Sequence, residues 1–172
     1  MLEQTKVKTL DKVAVRFTGD SGDGMQLAGN LFSNVSAAIG NEISTFPDYP
    51  AEIRAPQGTL GGVSGFQVHI GKGVYTPGDQ ADVLVAMNPA ALKTNVAYIK
   101  PNAVIIYDTD SFTANDLEKA AFVTDDPFNE LGLTGMQLVP VAITSMVKDS
   151  LAGSGLDNKA VLRCKNMFAL GL

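Results

Sequence analysis

Val13-Ala14-Val15-Arg16-Phe17-Thr18-Gly19-Asp20-Ser21-Gly22-Asp23-Gly24-Met25-Gln26-Leu27-Ala28-Gly29 passes from a strand-like run, through a glycine-rich turn, into a helix-like run that reaches Ile39. Strand, glycine turn and helix are the opening unit of a nucleotide-binding type of α/β domain. The dense apolar content of residues 13–18 suits a strand buried on both faces, as in a parallel sheet. Met25, Leu27, Ala28, Leu31, Phe32, Val35, Ala38 and Ile39 recur at near-helical spacing, and Gly40 supplies a stop. The turn reads Gly-x-x-Gly-x-Gly, whereas the dinucleotide fingerprint is Gly-x-Gly-x-x-Gly. It also carries Asp20 and Asp23, where a phosphate cradle would avoid negative charge.

The rest of the chain extends this pattern. Glu42–Phe46 reads as a short second strand, and residues 46–58 as an ordered loop stiffened by Pro47, Pro50 and Pro56. Val63–Ile70 alternates like a strand, Gly71-Lys72-Gly73 is a turn, and Val74–Thr76 is expected to return as the second arm of a hairpin. Asp82–Met87 and Val104–Tyr107 are buried strands, with a helix opening at Asn88-Pro89, running to about Ile99 and closed by Lys100-Pro101-Asn102. A short capped helix follows at Thr113–Glu118, one more turn at 128–131, an edge strand around Pro140, and a helix over 143–151. The expected fold is therefore α/β, three-layered, with a mostly parallel sheet, a Rossmann-like opening unit and a β-hairpin insertion. Ala152-Gly153-Ser154-Gly155 reads as a flexible break, and Leu156–Leu172 as one further helix. The apolar ending at Gly171-Leu172 leads to the expectation that the native segment continues or docks on a partner.

At 172 residues with 45% hydrophobic content and a net charge of −5, the chain suits one domain with a real core and no basic cluster. That balance weighs against nucleic acid or an anionic membrane as a partner. No apolar run approaches the roughly 20 residues of a membrane span. Residues 1–11 are polar and expected to be loose, without the apolar core of a signal peptide, so a cytoplasmic protein is expected. Cys164 is the single cysteine, which excludes an intrachain disulfide and a thiolate cluster.

Three stretches in order carry a resemblance to the gamma domain of 2-oxoacid:ferredoxin oxidoreductases. The glycine turn is similar to that family's Gly-x-Gly-Gly-Gln-Gly-x-x-x-Ala-Gly opening, and Tyr49-Pro50-Ala51-Glu52-Ile53-Arg54 to its Tyr-x-x-Glu-x-Arg segment. Ala81–Leu92 resembles its Ala-Asp-Val-Leu-Val-Ala-x-Asp-Pro-x-x-Leu pattern. Ser21, Asp23 and Asn88 depart from it, standing for glycine, glutamine and aspartate. The resemblance covers residues 12–151, and residues 163–172 resemble the end of a gamma domain fused ahead of an alpha domain, an arrangement of 2-oxoglutarate-type enzymes. It implies residues 12–151 as the gamma domain and 152–172 as a linker and the start of a following helix or domain. Such enzymes convert a 2-oxoacid and coenzyme A to acyl-CoA and CO2 and reduce ferredoxin. Their thiamine diphosphate, Mg2+ and iron–sulfur clusters belong to the alpha, beta and delta parts. The gamma domain would pack on the catalytic parts and help enclose coenzyme A, with no catalytic or metal-binding residue of its own. The expected coenzyme A or phosphate contacts are Gly19, Ser21, Gly22, Asp23, Gly24, Met25 and Arg54.

Read from the residues alone, each candidate keeps two meanings. The glycine turn offers backbone amides to a phosphate, or is a tight turn that needs small residues and positive φ, the favoured reading. Its aspartates could cap the following helix. Arg54 could grip a carboxylate or phosphate, pair with Glu52 or Asp48, or face a neighbouring subunit, which is favoured. His69 is read as a structural histidine and Cys164 as buried packing. Asp108 and Asp110, at a strand end, could hold a ribose or a cation, though turn aspartates are commoner. Two rivals stay open: a self-standing nucleotide-binding oxidoreductase or regulatory domain, with Asp108 and the glycine turn on the cofactor, and a scaffold without ligand.

Overall fold

In the computed structural model, which describes residues 9–52 and 54–172, the chain forms a six-stranded sheet of order β2-β3-β1-β4-β5-β6. The first eight residues, expected to be loose, lie outside the described residues, as does Ile53 of the proline-rich loop. The strands are β1 (Lys12–Asp20), β2 (Glu42–Asp48), β3 (Val63–Gly71), β4 (Ala81–Ala86), β5 (Ile99–Asp108) and β6 (Gln137–Val141). β1, β4, β5 and β6 pair in parallel, while β3 runs antiparallel between β1 and β2. Five of the six strands therefore point one way. Pro140 sits in β6, an edge strand, where a missing N–H costs no central ladder bond.

Alternation along β1 sends Ala14 to one face and Phe17 to the other, and a separate apolar core forms on each. On the Phe17 face pack α1 (Met25–Ala38), α5 (Ile143–Ser150), α6 (Asn158–Arg163) and α7 (Lys165–Gly171), through Met25, Ile143, Val147, Val161 and Ala169. On the Ala14 face lies α2 (Pro89–Asn95), through Leu92. The short α3 (Ala114–Lys119) sits against α2, and α4 (Pro127–Glu130) contributes Phe128 to the same core. The three-layer architecture is the expected one.

Four local expectations need correction. The antiparallel insertion is present, but its arms are β2 and β3; Val74–Thr76 joins no ladder. Instead the chain there is held by side chains, with Val74 N–H donating to Glu42 at 3.0 Å and Gln67 donating to the Pro77 and Gly78 carbonyls. The helix after Asn88 stops at Asn95 and gives way to a 3-10 turn, so Lys100-Pro101-Asn102 begins β5 instead of closing a helix. Residues 158–171 form two helices broken at Cys164, and Val161 and Ala169 are buried in the common core, so this stretch packs as part of the domain.

One buried cation joins the antiparallel half to the parallel half. Arg16, on β1 and 3% exposed, donates to Asn95 at the end of α2 (2.6 Å) and to Gln67 on β3 (3.4 Å), and pairs with Asp48 on β2. The Tyr98 ring covers its guanidinium at 4.8 Å. A charge this deep persists because each flank supplies a partner.

α1 lies unusually close to β3. Gly29 faces the sheet, and a Cβ there would overlap the Phe66 ring. Gly29→Ala is expected to lower stability by about 1–3 kcal/mol through overpacking, read as a lower urea midpoint with unchanged slope; an unchanged midpoint would mean that α1 can move away freely.

Candidate functional site

The turn between β1 and α1 opens at the carboxyl end of the sheet. α1 leaves β1 toward one face and α2 leaves β4 toward the other, so the ends of β1 and β4 flank the crevice where α/β sheets bind ligands. Met87 N–H donates to the Thr18 carbonyl at 3.0 Å and keeps the two strand ends together.

Inside the turn, its own carboxylates do the holding. Asp20, almost fully buried, accepts the Gly58 N–H at 3.0 and 3.2 Å. Asp23 accepts the Asp20 N–H at 2.9 Å. Ser21 N–H donates to the Gly62 carbonyl at 3.0 Å. Neither aspartate caps α1, correcting that expectation: the cap is Gly24, in the left-handed region at φ 74°, with no side-chain bond. A Cβ on Gly24 would also collide with Asn166 of α7, whose amide donates to the Gly24 carbonyl at 3.4 Å. Lys165, next to it, lies 4.0 Å from Asp23.

Burial pushes both carboxyls above the usual aspartate value, the charge of Asp23 adding to this at Asp20 and that of Asp108 at Asp23; Lys165 opposes it at both. The turn therefore divides its surroundings electrically. On the strand-end side is a cavity of about 210 Å³ lined by Asp20, Asp23, Asp110 and Asp116, with Lys119 and Lys165 as the only cations among its lining residues. On the outer side is a cavity of about 500 Å³ lined by Gly22, Gln57, Asn158, Lys159, Arg163 and Lys165, with Asp23 its single carboxylate. A polyanion is favoured in the second and repelled by the first.

The expected contact residues separate accordingly. Gly22 and Asp23 line the cationic cavity, and Ser21 is exposed nearby. Gly19 belongs to β1, Gly24 is occupied by its contact with Asn166, and Met25 is 1% exposed in the core, so α1 begins with a packing residue instead of a ligand contact. Arg54 is exposed, lies outside both cavities and makes no ion pair among the described residues; Asp48, one of the two carboxylates considered for it, is taken by Arg16. His69 Nδ1 lies 2.8 Å from the Thr76 carbonyl, a structural bond. Cys164 packs half-buried against the helical core. Asp108 is completely buried and accepts bonds from Ser111 and Thr144, which locks α5 to the end of β5; Asp110 likewise accepts from Ser145. Lys159, Arg163 and Lys165 were not singled out from sequence. The signal available was the i, i+4 spacing of Lys159 and Arg163, which places both on one helix face. Among the described residues no group of three or more His, Cys, Asp or Glu side chains is arranged to hold a metal ion.

The family description Pyruvate ferredoxin/flavodoxin oxidoreductase matches residues 14–172. The 2-oxoglutarate oxidoreductase subunit KorA of Mycobacterium tuberculosis is 47% identical over 164 residues, 95% of this chain and 25% of KorA. The pyruvate/ketoisovalerate oxidoreductases common subunit gamma of Pyrococcus abyssi is 27% identical over 110 residues, 62% of this chain and 57% of that protein. The chain thus spans a quarter of one curated relative and little more than half of the other. The solved gamma subunit of a keto/oxoacid ferredoxin oxidoreductase from Geobacter sulfurreducens shares the fold, with TM-score 0.57 and 18% identity, over 92% of this chain and 96% of that one. So does a 2-oxoglutarate:ferredoxin oxidoreductase from Magnetococcus marinus, solved with 2-oxoglutarate, coenzyme A and succinyl-CoA bound: TM-score 0.59, 21% identity, 95% of this chain and 32% of that one. This chain belongs to the pyruvate ferredoxin/flavodoxin oxidoreductase family.

The raised carboxyls give the turn a pH signature. An acid whose folded pKa is raised binds more protons folded than unfolded, so its contribution declines as pH rises from the unfolded value through the folded one. Above the ordinary aspartate value of 3.8, Asp20 and Asp23 therefore subtract from stability. Asp23→Asn keeps an acceptor for the Asp20 N–H and is expected to flatten the fall in urea midpoint above about pH 4; parallel curves for the two proteins would contradict this.

Proposed function

We propose that this chain is the gamma part of a multi-subunit 2-oxoacid:ferredoxin oxidoreductase of the 2-oxoglutarate type, which forms acyl-CoA and CO2 and reduces ferredoxin. The observation that carries the reading is the 47% identity to a 2-oxoglutarate oxidoreductase subunit across 95% of this chain. Thiamine diphosphate, Mg2+ and the iron–sulfur clusters belong in this reading to the alpha, beta and other parts, and ferredoxin is met indirectly. One cysteine is too few for a cluster here. The work is cytoplasmic; among the described residues no helix is long and apolar enough to cross a membrane.

The chain's own role is assembly together with enclosure of coenzyme A. In this proposal the phosphates of coenzyme A lie on the cationic side of the glycine turn. Lys159, Arg163 and Lys165 neutralise them there, and Gly22, with no side chain in the way, lets the backbone come close. Asp20 and Asp23 keep the turn rigid and bias the ligand away from the strand-end crevice. Arg54, on its exposed loop, is left for a contact with a neighbouring part. A self-standing dinucleotide enzyme fits less well, since Asp108, the residue that would hold the ribose, is sealed among hydroxyl donors.

Arg163→Ala in the assembled enzyme is expected to raise the apparent KM for coenzyme A by roughly 10- to 100-fold, the loss of one charge-assisted contact, with kcat and the KM for the 2-oxoacid little changed. An unchanged KM for coenzyme A in an intact assembly would remove that role.

A further inference from the structure

α1 has a face that none of the described residues covers. Met25, Ala28, Gly29 and Ser36 turn to the sheet and are buried. Leu27, Leu31 and Val35 on α1, with Ile39 at its C-cap, follow one another at four-residue spacing away from these buried positions. Leu27 is 53%, Val35 62% and Ile39 76% exposed, and Leu31 is half-buried.

The helix is also free of charge. From Gly24 to Asn41 there is no Asp, Glu, Lys, Arg or His, in a chain in which 18% of residues are charged. A water-facing helix side ordinarily carries such residues. Two of the polar side chains nearby are engaged with the helix's own backbone. Asn30 donates to the Gln26 carbonyl at 2.8 Å, and Ser33 to the Gly29 carbonyl at 2.8 Å. Asn34, exposed on the same stretch, is the polar side chain that a covering surface would have to satisfy.

We infer that the Leu27–Leu31–Val35–Ile39 side of α1 is the seat for a charge-free apolar surface of another part of the oxidoreductase assembly. The inference rests on the gamma-part reading above. Charge complementarity sets the occupant's chemistry, because an ionic surface placed on this side would be desolvated without a partner. Area argues for an assembly part over a second copy. A helix of 14 residues is about 21 Å long, and one such contact falls short of the roughly 1,200 Å² of a stable free-standing interface. It is stable as one portion of a larger, permanent one.

The test uses the assembly purified from its own cells, with a photo-crosslinking amino acid placed at Val35, at Ile39, or at Val123, which is 92% exposed in the loop between α3 and α4. The expected result is a crosslink from residues 35 and 39 to another part of the assembly, and none from residue 123. A second variant, Val35→Asp, should reduce the amount of assembly recovered by about tenfold or more. Because Val35 is exposed, the melting temperature of the isolated chain should move by no more than about 2 °C. An active, intact assembly with no crosslink from 35 or 39 overturns the inference and leaves the proposed function standing. A crosslink to a second copy of this chain overturns the choice of occupant. Failure to recover any assembly from wild-type cells sinks the gamma-part reading first and this inference with it.

Discussion

The carboxylate of Asp20, buried at the strand end and accepting the Gly58 N–H, fixes the geometry on which everything else at this end of the molecule depends. It ties the turn after β1 to the loop that returns from β2 to β3. Asp23 then braces the Asp20 backbone, Gly24 takes a conformation that L side chains rarely adopt, and α1 starts in register with the sheet. α7 closes the arrangement from outside, with Lys165 facing Asp23 and Asn166 filling the space a Gly24 side chain would need. A loop that resembles a phosphate cradle is thus occupied by its own acids.

In the proposed reading, that constraint also sets which side of the turn the ligand takes. The acids make the strand-end crevice hostile to an anion, and the same turn exposes Gly22 on its outer flank, where α6 and α7 bring three cations. The C-terminal helices are accordingly part of the site as well as of the core: Val161 and Ala169 bury inward while Lys159 and Arg163 line the cavity. On the far side of the same turn, α1 presents its charge-free flank. One short stretch of chain so joins a sheet, a cationic cavity and an uncovered helix face.

Much of this was legible in the sequence, for identifiable reasons. β1, α1 and β4 have strong periods and clear glycine, proline or asparagine punctuation, and they appear where expected, while β5 begins earlier than expected, at Ile99. The misplaced hairpin arm, Val74–Thr76, had strand composition but is held by the Glu42 and His69 side chains, and local pattern contains no trace of such bonds. The break at Cys164 was hidden because Leu156–Leu172 keeps an apolar helical pattern through it. Arg16 looked like one polar residue in a strand; its role depends on Asp48, Gln67 and Asn95, 32, 51 and 79 residues away. The cations of the candidate site were invisible for the same reason: they are distant in sequence from the turn they serve.

The most direct measurement is a structure of the assembly, purified from its own cells, with coenzyme A bound. The account predicts the phosphate density within hydrogen-bonding reach of Arg163 and Lys159, beside Gly22, and none between Asp20, Asp110 and Asp116. Phosphates seated in that acidic crevice, or bound elsewhere with Lys159 and Arg163 left in solvent, would contradict it.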